Sequence, residues 1–317
     1  MNKLGYKAYS ALFLAITLLF FMTITVGGAW AEEMPEKLVI GYQAVPNPET
    51  VVKDLGWNEK TLGIPVKWVK YDSGRHVNQA LAQGKVDIGL VGTSPCAAAI
   101  SQGLAIEVIW VHDVIGDSEA LAVKKDSNIK TVANLVGKRV AAPFGSTTHY
   151  HLMLALKLAN VPPEKLKLIN LEPKEMPAAW QQGDIDAAFV WQPTLSVLLE
   201  QGGEVILSSR QMAERGFPTA DLCVARKEFA TKYPSVVIQY LKNLDKAVKF
   251  CRSVGDMNLS FGLYTLLKET ADFLARSGEI ASSPSWPVFM RAVSASYVQK
   301  VIVKKKATLA GPRPKSE

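Results

Sequence analysis

The chain has 317 residues, of which 48% are hydrophobic and 21% charged, a balance that excludes disorder and suffices for one large domain or two smaller lobes. Its formal charge of +7 is spread along the chain, apart from a cluster at Lys304, Lys305 and Lys306. Because no basic stripe with interleaved aromatic residues occurs, the composition argues against nucleic-acid binding.

The first thirty-one residues have the pattern of a secretory signal peptide. Lys3 and Lys7 precede an apolar run over 11–26, and Ala29 and Ala31 are the small residues that a signal peptidase reads. An uncleaved membrane anchor is the alternative, since the apolar run approaches the length that spans a bilayer. The small residues favour cleavage after Ala31, and we therefore expect export to the periplasm; no later stretch is long and apolar enough to cross a membrane.

Two apolar strands with helices after them open the chain beyond this segment. Residues 38–43 predict a strand that ends in the polar Gln43. The segment QGKVDIGLV at 83–91 predicts a helix end at Gly84 and then a short buried strand of a parallel sheet. Thr93 and Ser94 follow that strand, and Pro95 suits the first turn of a new helix.

The following hundred residues repeat this plan. Residues 119–126 and 221–228 are strand-like runs, each headed by a carboxylate and closed by two basic residues and an acid. Residues 139–144 predict a strand, GSTTH at 145–149 a loop, and 152–158 an apolar helix. The segment QGDIDAAFV at 182–190 then repeats 83–91 and is followed by Trp191 and Pro193.

The repeat predicts an α/β fold of two lobes, with two doubly wound sheets joined by two crossing strands that start at Glu119 and Asp221. We expect lobe one to comprise 32–119 and 219–303, lobe two to comprise 120–218, and 304–317 to be a flexible tail. Residues 264–275 and 286–301 are predicted helices that pack on lobe one. In such folds ligands bind at the carboxyl ends of strands, so we expect a cleft between the sheets.

Metal and cofactor chemistry are not expected from the sequence. The histidines His76, His112 and His151 show no ligand spacing, so we predict no metal site. The three cysteines, Cys96, Cys223 and Cys251, show no metal motif and are expected to be buried free thiols. No catalytic triad, P-loop or dinucleotide glycine motif occurs, so we predict neither a cofactor nor an enzyme.

Several segments carry a resemblance to a known family. The segments are GYQ at 41–43, YDSG at 71–74, GTSP at 92–95, SEAL at 118–121, PFGSTTHY at 143–150, AWQQGDID at 179–186 and VW at 190–191. From about residue 38 to 240 the chain resembles the taurine-binding periplasmic proteins of ABC importers, within the wider family that binds sulfonates and nitrate. It departs from them by tens of missing residues between about 252 and 266.

The resemblance implies a type II periplasmic-binding fold and a small sulfonate ligand with an anion at one end and an ammonium at the other. A sulfonate stays ionised, so its site needs hydrogen-bond donors, which helix N-termini supply. Thr93 and Ser94 in lobe one and Thr147 and Thr148 in lobe two are candidates; helix capping alone is the alternative, above all for Ser94. His149 is a further candidate donor, or it satisfies a backbone carbonyl.

The ammonium end needs a carboxylate or an aromatic face. Asp221 and Glu119 are candidates because each heads a crossing strand; an ordinary salt bridge is the alternative. Trp191 is a candidate to close over the ligand, or a core residue, and Gln43 is a candidate contact, or part of a polar turn.

The resemblance also implies a partner, an ABC permease of the inner membrane that recognises the closed form, and we expect a monomer. Two other functions stay open. One is an enzyme on the same fold, of the type that synthesises the thiamine pyrimidine, although its cysteine-rich iron-binding segment has no counterpart here. The other is a binding subunit that feeds a sensor.

Overall fold

The computed structural model describes residues 33–254, Ala275 and residues 281–282. The predicted signal peptide over 1–31, the predicted helices over 264–275 and 286–301 (Ala275 apart), and the predicted tail over 304–317 lie outside these described residues. Within the described ranges, none of the helices combines the length and the hydrophobicity that a bilayer crossing requires.

Strands and helices alternate along the described chain. The strands are β1 (Leu38–Tyr42), β2 (Val66–Lys70), β3 (Ile88–Gly92), β4 (Ile106–Val114), β5 (Glu119–Lys124), β6 (Arg139–Ala142), β7 (Lys167–Asn170), β8 (Ala187–Trp191), β9 (Gly203–Ser208) and β10 (Ala220–Arg226). The α-helices are α1 (Pro48–Asp54), α2 (Trp57–Leu62), α3 (Gly74–Ala82), α4 (Thr93–Ser101), α5 (Thr147–Leu158), α6 (Met176–Gln182), α7 (Thr194–Glu200), α8 (Ser209–Glu214), α9 (Lys227–Lys232) and α10 (Pro234–Val254). Short 3-10 turns occur at Lys125–Ser127, Val132–Leu135 and Pro163–Lys165.

The strands form two five-stranded sheets with the same plan, which confirms the predicted fold class. The strand order is β2-β1-β3-β10-β4 in the first sheet and β7-β6-β8-β5-β9 in the second. We call the first sheet with its helices lobe one and the second with its helices lobe two. The chain passes from lobe one to lobe two between β4 and β5, and it returns before β10.

Both sheets are mixed rather than wholly parallel, which is a difference from the prediction for the buried strands. β3 pairs parallel with β1 but antiparallel with β10, and β8 pairs parallel with β6 but antiparallel with β5. The reversed strand of each sheet is the one that has just arrived from the other lobe. Because this strand enters its sheet from the end at which the neighbouring strands finish, it runs antiparallel to them.

The repeated segments have the same structural role in both lobes. Gly84 and Gly183 have φ of 66° and 75°, the left-handed conformation predicted for a helix end. The aspartate of each repeat then accepts a hydrogen bond from the backbone of its lobe's first strand: Asp87 from the Val39 N–H at 2.9 Å, and Asp186 from the Arg139 N–H at 2.8 Å. This contact explains why an acid stands at the start of an otherwise apolar strand.

Apolar packing is continuous from one lobe to the other. One cluster of buried side chains includes Val91 of β3 and Leu121 of β5. Contact between the lobes is also close at Gly92, where an added Cβ would lie 2.7 Å from Cγ2 of Thr147. The predicted residue boundaries of the two lobes stay a prediction.

Candidate ligand-binding site

A pocket lies where the two sheets face each other. Its empty space is about 510 Å³ with the open mouth included. Both lobes contribute to its lining, which consists of Gln43, Val45, Pro46, Gly74, Gly92, Pro95, Asp113, Ile115, Ser118, Glu119, Ser146, Thr147, Trp191, Gln192 and Asp221. Gly92, Asp113 and Trp191 of this lining lie at or near the carboxyl ends of β3, β4 and β8, where ligands bind in folds of this kind.

Five of the nine predicted site residues line this pocket: Gln43, Glu119, Thr147, Trp191 and Asp221. Gln43 is fixed by a hydrogen bond of 3.1 Å that its side-chain amide donates to the Leu90 carbonyl. Trp191 is 9% exposed and stands opposite Glu119 in the register of β8 and β5. The repeat thus brings together residues from four strand ends and one helix start.

The other four predicted residues are absent from the described lining. The Thr148 hydroxyl lies 2.8 Å from the Ser146 hydroxyl, and the His149 ring stacks on Phe144 with 4.5 Å between centroids. The hydroxyls of Thr93 and Ser94 are buried without a hydrogen-bond partner in the described part of the chain.

The capping interpretation of Ser94 is wrong. The N-cap of α4 is Gly92, so Ser94 lies inside the first turn and its side chain does not serve the helix end. In lobe two the cap of α5 is Ser146, whose hydroxyl accepts a hydrogen bond from the His149 N–H at 3.1 Å. Each cap lies one or more residues before the hydroxyl residues that we predicted.

Helix starts from both lobes reach the pocket. Gly74 is the first residue of α3, Gly92 is the N-cap of α4, and Ser146 is the N-cap of α5. The first N–H groups of a helix have no partner within the helix, and the helix dipole favours an anion there. No lysine or arginine appears among the described lining residues, and these N–H groups are candidate donors to an anion there, beside the hydroxyl and amide side chains of the lining.

Three carboxyl groups, those of Asp113, Glu119 and Asp221, face the same pocket. Burial raises the pKa of Glu119 to about 7, although hydrogen bonds from Thr147 and Ser209 oppose the shift. Burial likewise raises the pKa of Asp113 to about 6 and that of Asp221 well above its usual value, the latter with help from the neighbouring carboxylates. The carboxyl groups thus carry protons more readily than exposed ones, and a cation in the pocket would restore their charge.

Glu119 is positioned by a chain of hydrogen bonds. The Thr147 hydroxyl donates to its Oε1 at 2.6 Å, and the Ser209 hydroxyl lies 3.2 Å from its Oε2. Ser209 also lies 2.8 Å from His151 Nδ1, while His151 Nε2 lies 2.9 Å from the Phe217 carbonyl. Because a carbonyl only accepts, Nε2 carries the proton, and burial, which lowers the His151 pKa to about 4, leaves Nδ1 as an acceptor for Ser209.

Sequence reasoning missed Asp113, the third carboxylate. It lies near the end of β4, directly opposite Asp221 of β10, and the Asp221 N–H donates to its carboxylate. The run of polar residues just before the crossing at Glu119 was the available signal, but the pairing of β4 with β10 is needed to place Asp113 beside Asp221.

Ion pairs of the described residues also join the lobes outside the pocket. Arg75 of lobe one lies 2.8 Å from Glu172 of lobe two, and Asp72 of lobe one lies 2.6 Å from Lys174 of lobe two. Together with the contact between Gly92 and Thr147, they hold the two lobes against each other.

The chain is similar to known solute-binding proteins. It is 44% identical over 206 residues to the taurine-binding periplasmic protein of Escherichia coli K12, an alignment that covers 65% of this chain and 63% of the relative. The chain thus spans less than two thirds of that relative's length. The resemblance seen in the sequence is confirmed.

Solved structures share the fold. The alkanesulfonate-binding protein SsuA from Xanthomonas axonopodis pv. citri, bound to MOPS, superposes with a TM-score of 0.64 at 21% identity, over 88% of this chain and 94% of that one. The desulfurization enzyme DSZB superposes with a TM-score of 0.64 at 13% identity, over 86% of this chain and all of the other. One fold therefore serves both binding proteins and an enzyme, and function has to be argued from the site.

A family model gives the assignment. The model of the NMT1-like family matches residues 31–259, which is most of the chain. The chain belongs to the NMT1-like family.

Proposed function

We propose that this protein binds taurine or a related alkanesulfonate in the pocket between its lobes, as the periplasmic component of an ABC importer. The observation that carries the proposal is the polarity of the pocket. Helix starts from both lobes supply donors for a fixed anion, and Asp113, Glu119 and Asp221 supply acceptors for an ammonium group. A small amino-sulfonate carries both charges.

Closure of the lobes is the mechanism of capture. Glu119, Thr147 and Trp191 belong to lobe two, whereas Gln43, Gly92 and Asp221 belong to lobe one. A ligand contacts both sets only when the lobes meet, so binding favours the closed form. The ion pair between Arg75 and Glu172 also stabilises the closed form. A membrane permease then recognises the surface that the closed form presents.

The proposed role involves no reaction. The similarity to a taurine-binding protein at 44% identity supports binding and release. The solved structures, a sulfonate-binding protein at 21% identity and an enzyme at 13%, concern the fold alone. Recovery of unchanged taurine after long incubation with the protein is expected, and turnover would contradict this part of the proposal.

Calorimetric titration with taurine, ethanesulfonate and nitrate tests the ligand. Hydrogen bonds to charged groups contribute about 1.5–3 kcal/mol, so taurine should bind about 10-fold to 100-fold more tightly than ethanesulfonate. Equal affinity for the two would contradict the role of the carboxylates, and no binding of any sulfonate would contradict the proposal as a whole.

The location has a separate test. N-terminal sequencing of the protein from the periplasmic fraction should begin at Glu32, directly after the predicted cleavage site. Recovery in the membrane fraction with an intact N-terminus would favour the anchor. A strain that lacks the gene should fail to grow on taurine as its sulfur source if the protein serves uptake, and it should grow normally if the protein feeds a sensor.

A further inference from the structure

Three potential metal ligands of different chemistry meet in the core of lobe one. Glu49 lies in the first turn of α1, His112 in β4 and Cys223 in β10. A carboxylate oxygen, a ring nitrogen and the thiol sulfur lie within 4.8 Å of one another. All three side chains are buried: Glu49 is 2% exposed, and His112 and Cys223 are fully enclosed.

The histidine of this cluster has no hydrogen-bond partner. Both His112 ring nitrogens are buried and unpartnered among the residues that the structure describes. A neutral imidazole has one N–H donor and one lone pair, and nearly all such groups in protein interiors are satisfied. Coordination of a metal ion is one way to satisfy the lone pair of His112, and the Cys223 thiol and the Glu49 carboxyl group are close enough to bind the same ion.

The other two groups are joined by a tyrosine. The Cys223 thiol lies 3.5 Å from the Tyr240 hydroxyl, and that hydroxyl donates to Glu49. Tyr240 is fully buried on α10. This arrangement holds the carboxylate in place, as partners behind the ligands of metal sites commonly do.

We propose that Glu49, His112 and Cys223 form a structural site for a zinc ion. Thiolate, imidazole and carboxylate are the three ligand types that Zn²⁺ takes in proteins. The charges also balance, since one thiolate and one carboxylate neutralise a divalent cation with a neutral imidazole beside them. An ion bound here would join α1 to β4 and β10, the two strands that carry Asp113 and Asp221 of the pocket.

The sequence pattern predicted no metal site, so this proposal departs from that prediction. The spacing of His76, His112 and His151 gave no sign of it, because His112 is the one histidine involved. Its fellow ligands, Glu49 and Cys223, come from distant segments that meet only in the folded lobe.

Zinc content is the direct test, and uptake has to occur during folding because the cluster is enclosed. Tag-free protein is unfolded in denaturant that contains a chelator, and it is then refolded with or without Zn²⁺. Unbound metal is then removed, and the metal is counted by mass spectrometry. We expect one zinc per chain and a higher unfolding temperature for the zinc-refolded protein. A metal content at the level of the chelator-treated sample would overturn the proposal.

Variants assign the ligands. Cys223→Ser should lose the zinc, whereas Cys96→Ser, which alters a thiol equally buried in α4, should retain it. Equal zinc in both variants would overturn the proposal. Circular dichroism shows whether each variant is folded, and Glu49→Gln, which should also lose the zinc, serves as the second variant where Cys223→Ser does not fold.

A spectroscopic probe reports the thiolate bond itself. In the double variant Cys96→Ser/Cys251→Ser, Cys223 is the sole thiol of the chain. Refolding with Cd²⁺ should produce an ultraviolet charge-transfer band from cadmium bound to the thiolate. Absence of this band would overturn the assignment of Cys223 as a ligand. None of these measurements depends on sulfonate binding, so they stand or fall independently of the proposed function.

Discussion

Replacement of Glu119 by glutamine should change how stability depends on pH. Glutamine keeps the size of the side chain and an oxygen for the Thr147 hydroxyl, and its amide N–H can donate to the Ser209 oxygen. It does not titrate. The ligand-free variant should therefore match the wild type in acid and exceed it in stability at alkaline pH.

The magnitude follows from the pKa of Glu119, which burial raises from 4.5 to about 7. Between these values the folded protein holds a proton that the unfolded chain has released, so the free energy of unfolding falls as the pH rises through this window. At about 1.4 kcal/mol per pKa unit, the loss amounts to about 3 kcal/mol and is complete above the folded pKa. Below pH 4.5 the contribution is fully present.

Urea unfolding at pH 4.5 and pH 8, followed by tryptophan fluorescence, measures this difference. The stability of Glu119→Gln relative to the wild type should rise by up to about 3 kcal/mol between the two pH values. Glu164→Gln, at an exposed position, is the matched control and should show no such change. A constant difference in stability between the Glu119 variant and the wild type across this range would contradict a raised pKa of Glu119 in the folded protein.

Three further predictions concern the ligand and the lobes. Asp221→Asn should weaken taurine binding about 10-fold to 100-fold and leave ethanesulfonate binding nearly unchanged, because only taurine presents an ammonium group to the carboxylate; parallel losses in calorimetry would contradict this role. Gly92→Ala should weaken binding of both ligands, since the alanine Cβ would lie 2.7 Å from Cγ2 of Thr147. Thr147→Ser removes that methyl group, so the double variant should regain much of the affinity. Arg75→Ala should reduce affinity about fivefold or less, the value of a partly exposed ion pair, and should have no further effect in a Glu172→Gln background; an equal loss in both backgrounds would argue against a contribution from the pair.

The fold was largely predictable because the sequence repeats itself. The paired segments at 83–91 and 182–190 marked a helix end and a buried strand in each half, and the structure has both. What the repeat did not give is the direction of β5 and β10. Each of these strands is apolar whether it runs with or against its neighbours, so its direction depends on the crossing between lobes and not on its composition.

The site was predictable only in part, for reasons of geometry. Glu119 and Asp221 begin strands that follow a change of lobe, and that position along the chain was enough to bring both to the pocket. Asp113 reaches it through the pairing of β4 with β10. Thr93 and Ser94 lie inside the first turn of α4, after the cap at Gly92, and are absent from the described lining. Side-chain direction in the first turn of a helix depends on which residue is the cap, and the hydroxyl residues alone do not fix that.

A crystal structure of the protein grown with taurine would show whether the ligand lies between the lobes and which groups hold each of its ends. We expect the sulfonate oxygens within hydrogen-bond distance of N–H groups at the starts of α4 and α5, and the ammonium within reach of Glu119 and Asp221. Taurine bound elsewhere, or bound between the lobes with its ammonium away from both carboxylates, would contradict this expectation.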